Sequence, residues 1–313
     1  MTESAAFTDA LAQRVLVCDG AMGTMLHAAG ISLDRALTEL NLSNPGLVRA
    51  VHDSYVAAGA DVIQTNTFGA SSLRLAVHGY ADRTREINLA GARIALEAKA
   101  AGGRQVLVAG SVSPAASAGH RGQVSASDRV EALRQQVEAL VEGGVELLVF
   151  ETFGHLGEMV EAVEVARKLC RLPIVAQMTF ADDGRTFGGE SPGEVAAALG
   201  ELPVTVIGTN CTLGPQGLLS VLRELSRHTA LPLSAQPNAG VPRRVGGRNF
   251  RYTVDSEYFA QYARRYVEAG AALVGGCCGT TPEHIRAAAQ VTTGLTPSLR
   301  GRSTGAGASA TAP

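Results

Sequence analysis

The chain has 313 residues, 46% of them hydrophobic, and a formal charge of −2. That is enough apolar content for a large core, and one α/β barrel of ~250 residues would use most of it. No basic stripe points to nucleic acid as a partner, and no apolar run reaches the ~18 residues that cross a membrane.

The N-terminal segment, residues 1–13, carries Glu3 and Asp9 and has neither the basic start nor the apolar stretch of a secretion signal. A cytoplasmic location is therefore expected, and thiols stay reduced there. The five cysteines then read as metal ligands or packing residues rather than as disulfides.

From residue 14 onward, short apolar runs alternate with helical patterns. Strands are expected at Val15–Cys18, Asp61–Thr65, Val106–Gly110, Glu146–Phe150, Ile174–Met178, Val204–Thr209, Pro232–Gln236 and Ala271–Gly275. Continuous apolar runs such as Leu147-Leu148-Val149-Phe150 suit strands buried on both faces of a parallel sheet. Helix starts are marked by Asn44-Pro45, by Ser191-Pro192-Gly193-Glu194 (a capping box with Pro in the first turn) and by Thr281-Pro282-Glu283. A strand followed by a helix, eight times over, predicts a single-domain (β/α)8 TIM barrel over residues 14–295. A doubly wound open sheet is the alternative, but no Gly-x-Gly-x-x-Gly follows the first strand. Residues 296–313 end in Gly, Ser, Ala and Thr without periodicity and read as a flexible tail or the start of a linker.

Barrel sites lie at the C-terminal ends of the strands, and the unusual residues fall there. Asp19-Gly20-Ala21-Met22-Gly23-Thr24 follows the first strand, Asn66-Thr67-Phe68-Gly69 the second and Ser111-Val112-Ser113-Pro114 the third. The fourth ends in Glu151-Thr152-Phe153, the sixth in Asn210-Cys211, the seventh in Pro237-Asn238 and the eighth in Gly275-Gly276-Cys277-Cys278-Gly279. Adjacent cysteines bridge each other only with strain, whereas flanking glycines let both sulfurs turn to one point. With Cys211 they make a three-sulfur metal site whose fourth position is open, as in catalytic zinc sites. The competing reading is three inert, buried cysteines. Cys18, inside the first strand, and Cys170, late in a helix, read as packing residues. The seven histidines show no metal-ligand spacing, and only His155 stands close behind a strand end.

Asp19 either caps the following helix or faces the site. Glu151 directly follows an apolar strand, so its carboxylate should project into the barrel mouth, where it needs a cation. The ammonium of an amino-acid substrate or a nearby Arg would serve. Backbone amides of the Gly20–Thr24 loop can hold a substrate carboxylate. An open thiolate-ligated zinc suits a thiol substrate, whose pKa it lowers for attack on an activated methyl group. Water activation for hydrolysis is the competing use of an open zinc.

These residues resemble the homocysteine S-methyltransferase family, over roughly Val15 to Gln290. The motifs that carry the resemblance are Asp19–Thr24, Gly59–Phe68, Gly208-Thr209-Asn210-Cys211 and Gly275–Pro282. The resemblance implies a zinc-dependent (β/α)8 barrel that methylates homocysteine to methionine, with zinc held by Cys211, Cys277 and Cys278. It also implies that Asp19, Glu151 and the backbone near Gly20 hold the amino-acid part of homocysteine, with Thr67 and Asn210 lining the site. Thr65–Phe68 and Glu39–Pro45 are most similar to the homocysteine domain of cobalamin-dependent methionine synthase and of proteins that fuse this domain to a methylenetetrahydrofolate reductase. No Asp-x-His-x-x-Gly cobalamin signature is present. The donor is therefore either a methyl group on a folate, cobalamin or reductase module, in trans or in a longer chain, or a small sulfonium such as S-methylmethionine or S-adenosylmethionine. With no Trp and six Tyr, an aromatic cage for a quaternary ammonium is a poor fit. A zinc hydrolase and a non-catalytic homocysteine-binding module are the alternative functions.

Overall fold

Eight parallel strands close on themselves in the computed structural model, which describes residues 3–117, 119, 121–244 and 250–297. The strands are β1 (Leu16–Val17), β2 (Val62–Gln64), β3 (Leu107–Val112), β4 (Leu147–Phe153), β5 (Ile174–Met178), β6 (Val206–Asn210), β7 (Leu233–Gln236) and β8 (Ala271–Val274). Each pairs in parallel with the next, and β8 pairs with β1. A bridge between Cys18 and Val62 joins β1 to β2 and closes the barrel. The helices that follow the strands are α1 (Pro45–Ala58), α2 (Thr84–Ala101), α3 (Ala126–Glu142), α4 (Leu156–Leu169), α5 (Pro192–Gly200), α6 (Pro215–Leu225), α7 (Ser256–Glu268) and α8 (Pro282–Thr292). The expected (β/α)8 barrel is what forms. None of the described helices is long and apolar enough to cross a membrane.

Alternation along each strand builds two cores. Leu147, Val149, Val175 and Val206 point into the barrel, while Leu148, Phe150, Ile174 and Ile207 pack outward under the helices. The N-terminal segment has a role the sequence did not reveal. It forms a helix, Glu3–Gln13, whose Phe7 and Leu11 join the inner cluster and plug the barrel floor. Above this floor the inward residues turn polar, and Gln177 bonds Ser234 at 2.9 Å and also the Gln236 side chain.

Helix starts follow the local signals. Ser191 and Glu194 make the capping box of α5, Asn44 caps α1, and Thr281 caps α8. Two acids expected to begin strands stand one residue outside them. Asp61 accepts the Val17 amide at 2.9 Å and pairs with Arg14 and Arg104, and Glu146 accepts the Val108 amide at 2.8 Å and pairs with Lys99. Both clamp the floor, where such groups serve stability.

One boundary matters for the site. β4 runs three residues beyond the expected Phe150, through Glu151, Thr152 and Phe153. Its register against β5 slips between Phe150 and Phe153, which gives β4 one extra residue there. Such a bulge re-aims the side chains beside it. The long loop after β7 adds a two-stranded ribbon, Arg243–Arg244 with Phe250–Arg251, that the sequence reading did not anticipate. From residue 298 on, the expected tail lies outside the described residues.

Candidate active site

A cavity of 320 Å³ opens at the C-terminal end of the barrel and is lined from β1, β2, β3, β4, β6 and β8. The sulfurs of Cys211, Cys277 and Cys278 meet on one side, all within 4.8 Å of one another. All three cysteines are free thiols. The chain spends backbone strain on this convergence. Cys211 and Thr212 take positive φ values of 59° and 48°, which non-glycine residues seldom adopt. Gly279 has a φ of 81°, and a Cβ there would sit 2.0 Å from the Tyr252 ring. Tyr252 thus lies directly over the Cys277–Gly279 turn, and its hydroxyl donates to the Cys278 sulfur.

The three thiols share their protons unequally. Hydrogen bonds from Cys277 and then Cys278 favour the thiolate of Cys211 and hold its pKa far below the usual thiol range. That negative sulfur pushes Cys278 up to about 12 and Cys277 well above its ordinary value. Three sulfurs this close resist carrying three negative charges at once, and a bound cation would offset that repulsion.

Across the cavity stand two carboxylates. Asp19 is 2% exposed, and it accepts the Gln64 backbone amide at 2.8 Å and the Gln64 side-chain amide at 3.2 Å. Glu151 accepts the Ser111 hydroxyl at 2.6 Å and the Asn210 amide at 3.3 Å. Burial pushes both acids up to about 7 against these hydrogen bonds. Among the described residues that line the cavity there is no Lys or Arg. The alternative of an Arg partner for Glu151 therefore has no support here.

Two expected lining residues stand behind the wall instead. Asn210 is 1% exposed and does not reach the cavity, because its amide is taken up by β4. It accepts the Thr152 backbone N–H at 2.8 Å and donates to the Thr152 hydroxyl at 2.8 Å. Thr67 is fully buried, since its hydroxyl turns inward to the Ser111 carbonyl at 2.7 Å and the Thr65 hydroxyl at 2.6 Å. Gly20 does line the cavity, with Thr280 packed against it and bonded to the Ala21 amide at 3.1 Å. His155 is the residue before α4 and is not part of the wall.

The sequence reading did not single out Gln64, His27 and Leu37 as wall residues, and it placed Phe68 and Ser111 at strand ends without giving them a role. Gln64 and Ser111 sit in strands whose ends it had marked, but their partners come from neighbouring strands. The two segments Glu39–Pro45 and Thr65–Phe68 meet through Asn41 and Asn66, which exchange bonds of 2.9 and 3.0 Å. Asn66 also donates to the Leu37 carbonyl at 2.9 Å, which fixes that part of the cavity wall.

Comparison with known proteins places the chain in a family. The homocysteine S-methyltransferase family model matches residues 16–292. The chain is 35% identical over 293 residues to methionine synthase of Mycobacterium tuberculosis (strain ATCC 25618 / H37Rv) and 33% identical to that of Mycobacterium leprae (strain TN). Each alignment covers 89% of this chain and 24% of the relative, so the chain spans about a quarter of their length. Among solved structures, the metallated form of the homocysteine methyltransferase MmuM from Escherichia coli is similar at 29% identity and a TM-score of 0.74. That match covers 92% of this chain and 99% of the other.

Proposed function

The chain belongs to the homocysteine S-methyltransferase family, and from that premise we propose that it moves a methyl group onto the sulfur of L-homocysteine to give L-methionine. One observation carries the reading. A single 320 Å³ cavity holds three converging thiols on one wall and two carboxylates on another, with no Lys or Arg among its described lining residues. Homocysteine carries the complement of both, a thiol at one end and an ammonium at the other.

Cys211, Cys277 and Cys278 would hold a zinc ion, as the metallated form of a relative supports. Sulfurs at ~2.3 Å from one tetrahedral zinc lie about 3.8 Å apart, and Cys211 and Cys278 stand 4.0 Å apart. Zinc bound there supplies positive charge that lowers the pKa of a substrate thiol, so that a thiolate persists at neutral pH. Asp19 and Glu151 hold the ammonium group. Ser111 and Asn210 aim Glu151, and Gln64 aims Asp19. The amides of the Gly20–Thr24 segment take the substrate carboxylate. Leu37, Met22 and Phe68 give the cavity its apolar wall and exclude water from the reacting atoms.

The chemistry is an in-line displacement that depends mainly on positioning. The sulfur pair forms the S–CH3 bond as the methyl carbon's bond to its donor atom breaks. The bonding electrons leave with the donor, and the thiol proton passes to solvent. The curated relatives are about four times longer than the aligned region, which supports a donor presented by another module. A small sulfonium is the other source.

The test is zinc content and methionine formation measured together on the purified chain. Homocysteine is supplied with S-methylmethionine, S-adenosylmethionine, betaine or methylcobalamin in turn. About one zinc per chain and turnover with one donor would establish reaction and donor. Zinc and homocysteine binding without turnover would assign the donor to a partner module. Absence of zinc under reducing conditions would overturn the reading.

A further inference from the structure

A second cavity of 580 Å³ opens beside the first and shares Leu37 and Phe68 with it. The two have opposite electrostatic character. The first is lined by two carboxylates and three cysteines. The second has Arg35, Arg74 and His78 in its wall and no Asp or Glu among its described lining residues. The Arg35 guanidinium is held by Glu39 at 2.8 Å. The Arg74 guanidinium has no carboxylate or carbonyl partner among the described residues.

Arg74 is nevertheless fixed in place. It stacks on the Phe68 ring, 5.4 Å from the centroid. Its Nε lies across Gly69, where φ is 79° and a Cβ would come within 2.9 Å of it. Any side chain at position 69 would displace the guanidinium. Partial burial without a counter-charge lowers Arg74 from its ordinary pKa, and a cation in that condition gains from an anion. Phe68 itself is 40% exposed and lies in the wall of both cavities.

We propose that this second cavity is a subsite for the carboxylate of a small methyl donor, with Arg74 as its counter-charge and Phe68 as the wall it shares with the homocysteine site. The inference rests on the methyl-transfer reading above, which requires a second ligand whose methyl group reaches the first cavity. Opposite charge in the two cavities sorts the ligands. The ammonium of homocysteine is drawn to Asp19 and Glu151, and the carboxylate of the donor to Arg74. S-Methylmethionine, betaine and 5-methyltetrahydrofolate all carry such a carboxylate.

The experiment uses the zinc-loaded chain and its Arg74→Gln and Arg74→Lys variants. Calorimetry first measures homocysteine binding. It then measures S-methylmethionine, betaine and 5-methyltetrahydrofolate, each in the presence of homocysteine. The subsite predicts that at least one of the three binds the unmodified chain. It also predicts that Arg74→Gln weakens that binding by about 10- to 100-fold, the effect of losing one charge-assisted hydrogen-bonded pair. Arg74→Lys should recover part of the loss, and homocysteine affinity should be equal in all three proteins, which also shows that the variants fold. Failure of every carboxylate donor to bind, or equal binding by Arg74→Gln, overturns the subsite while leaving the homocysteine reading intact. Failure of homocysteine to bind the unmodified chain overturns the reading beneath it.

Discussion

Asn210 fixes Thr152: it accepts the Thr152 amide and donates to the Thr152 hydroxyl, both at 2.8 Å. Thr152 stands at φ 62°, a left-handed conformation that is costly for a β-branched residue. The residue before Cys211 thereby holds the bulge that aims Glu151. The cysteine and carboxylate ends of the site are coupled through one side chain.

Asn210→Ala should therefore weaken homocysteine binding by about 10-fold or more while the cysteine cluster still takes up metal. Adding Thr152→Gly should restore part of the affinity, because glycine adopts positive φ without strain. Titration calorimetry with homocysteine on both variants, beside their metal content, checks this. Loss of metal in Asn210→Ala would show that the residue supports Cys211 rather than Glu151.

Each of Cys211→Ser, Cys277→Ser and Cys278→Ser should lower bound zinc from about one per chain to near zero and abolish methionine formation, with far-ultraviolet circular dichroism unchanged. Tyr252→Phe should keep the metal but bind it roughly 10-fold more weakly, since the Cys278 sulfur loses a donor. Metal competition with a chromophoric chelator reads both effects. Full zinc in any of the three serine variants would remove that cysteine from the ligand set.

Asp19 and Glu151 titrate near 7, far above their ordinary values of 3.8 and 4.5. Ammonium binding needs both ionised, so affinity should rise with pH through about 7. L-Methionine, which has no thiol, isolates this effect, and it should bind at least ~10-fold more weakly at pH 5.5 than at pH 8. The linkage has the opposite sign for the ligand-free fold. A raised carboxylate pKa stabilises below the ordinary range, and that contribution is lost as pH rises through about 7. Asp19→Asn should thus raise the melting temperature of the ligand-free protein at pH 8 and not at pH 4. A pH-independent affinity for methionine would rule out these two groups as the ammonium site.

Gly208 and Gly46 should respond oppositely to alanine. A Cβ at Gly208 would stand 2.1 Å from the Ser234 hydroxyl and 2.3 Å from its carbonyl oxygen, between β6 and β7. That overpacking should cost about 3 kcal/mol or more. At Gly46, in the first turn of α1, nothing lies within 4 Å. Alanine there should stabilise by about 0.5–1 kcal/mol. Urea denaturation of both variants measures the difference, and equal stabilities would contradict the packing described for β6 and β7.

The sequence by itself determined the architecture and which reactive residues stand at the barrel mouth. Eight apolar runs separated by capped helices leave few arrangements that bury both faces of every strand. The first reactive residue after a buried strand must emerge at its C-terminal end, which made Asp19, Glu151, Cys211, Cys277 and Cys278 legible. Only the tertiary structure decided what lies one layer away from those residues. Ser111 reaches Glu151, Gln64 reaches Asp19 and Tyr252 reaches Cys278 across partners set by strand register and loop packing. For the same reason Thr67 and Asn210, adjacent in sequence to wall residues, turn inward to support them. The bulge in β4 and the floor helix likewise depend on contacts between segments distant along the chain. Local pattern specifies a residue's element and which side of it the residue occupies, whereas its hydrogen-bond partner is fixed only when the neighbouring strand is in place.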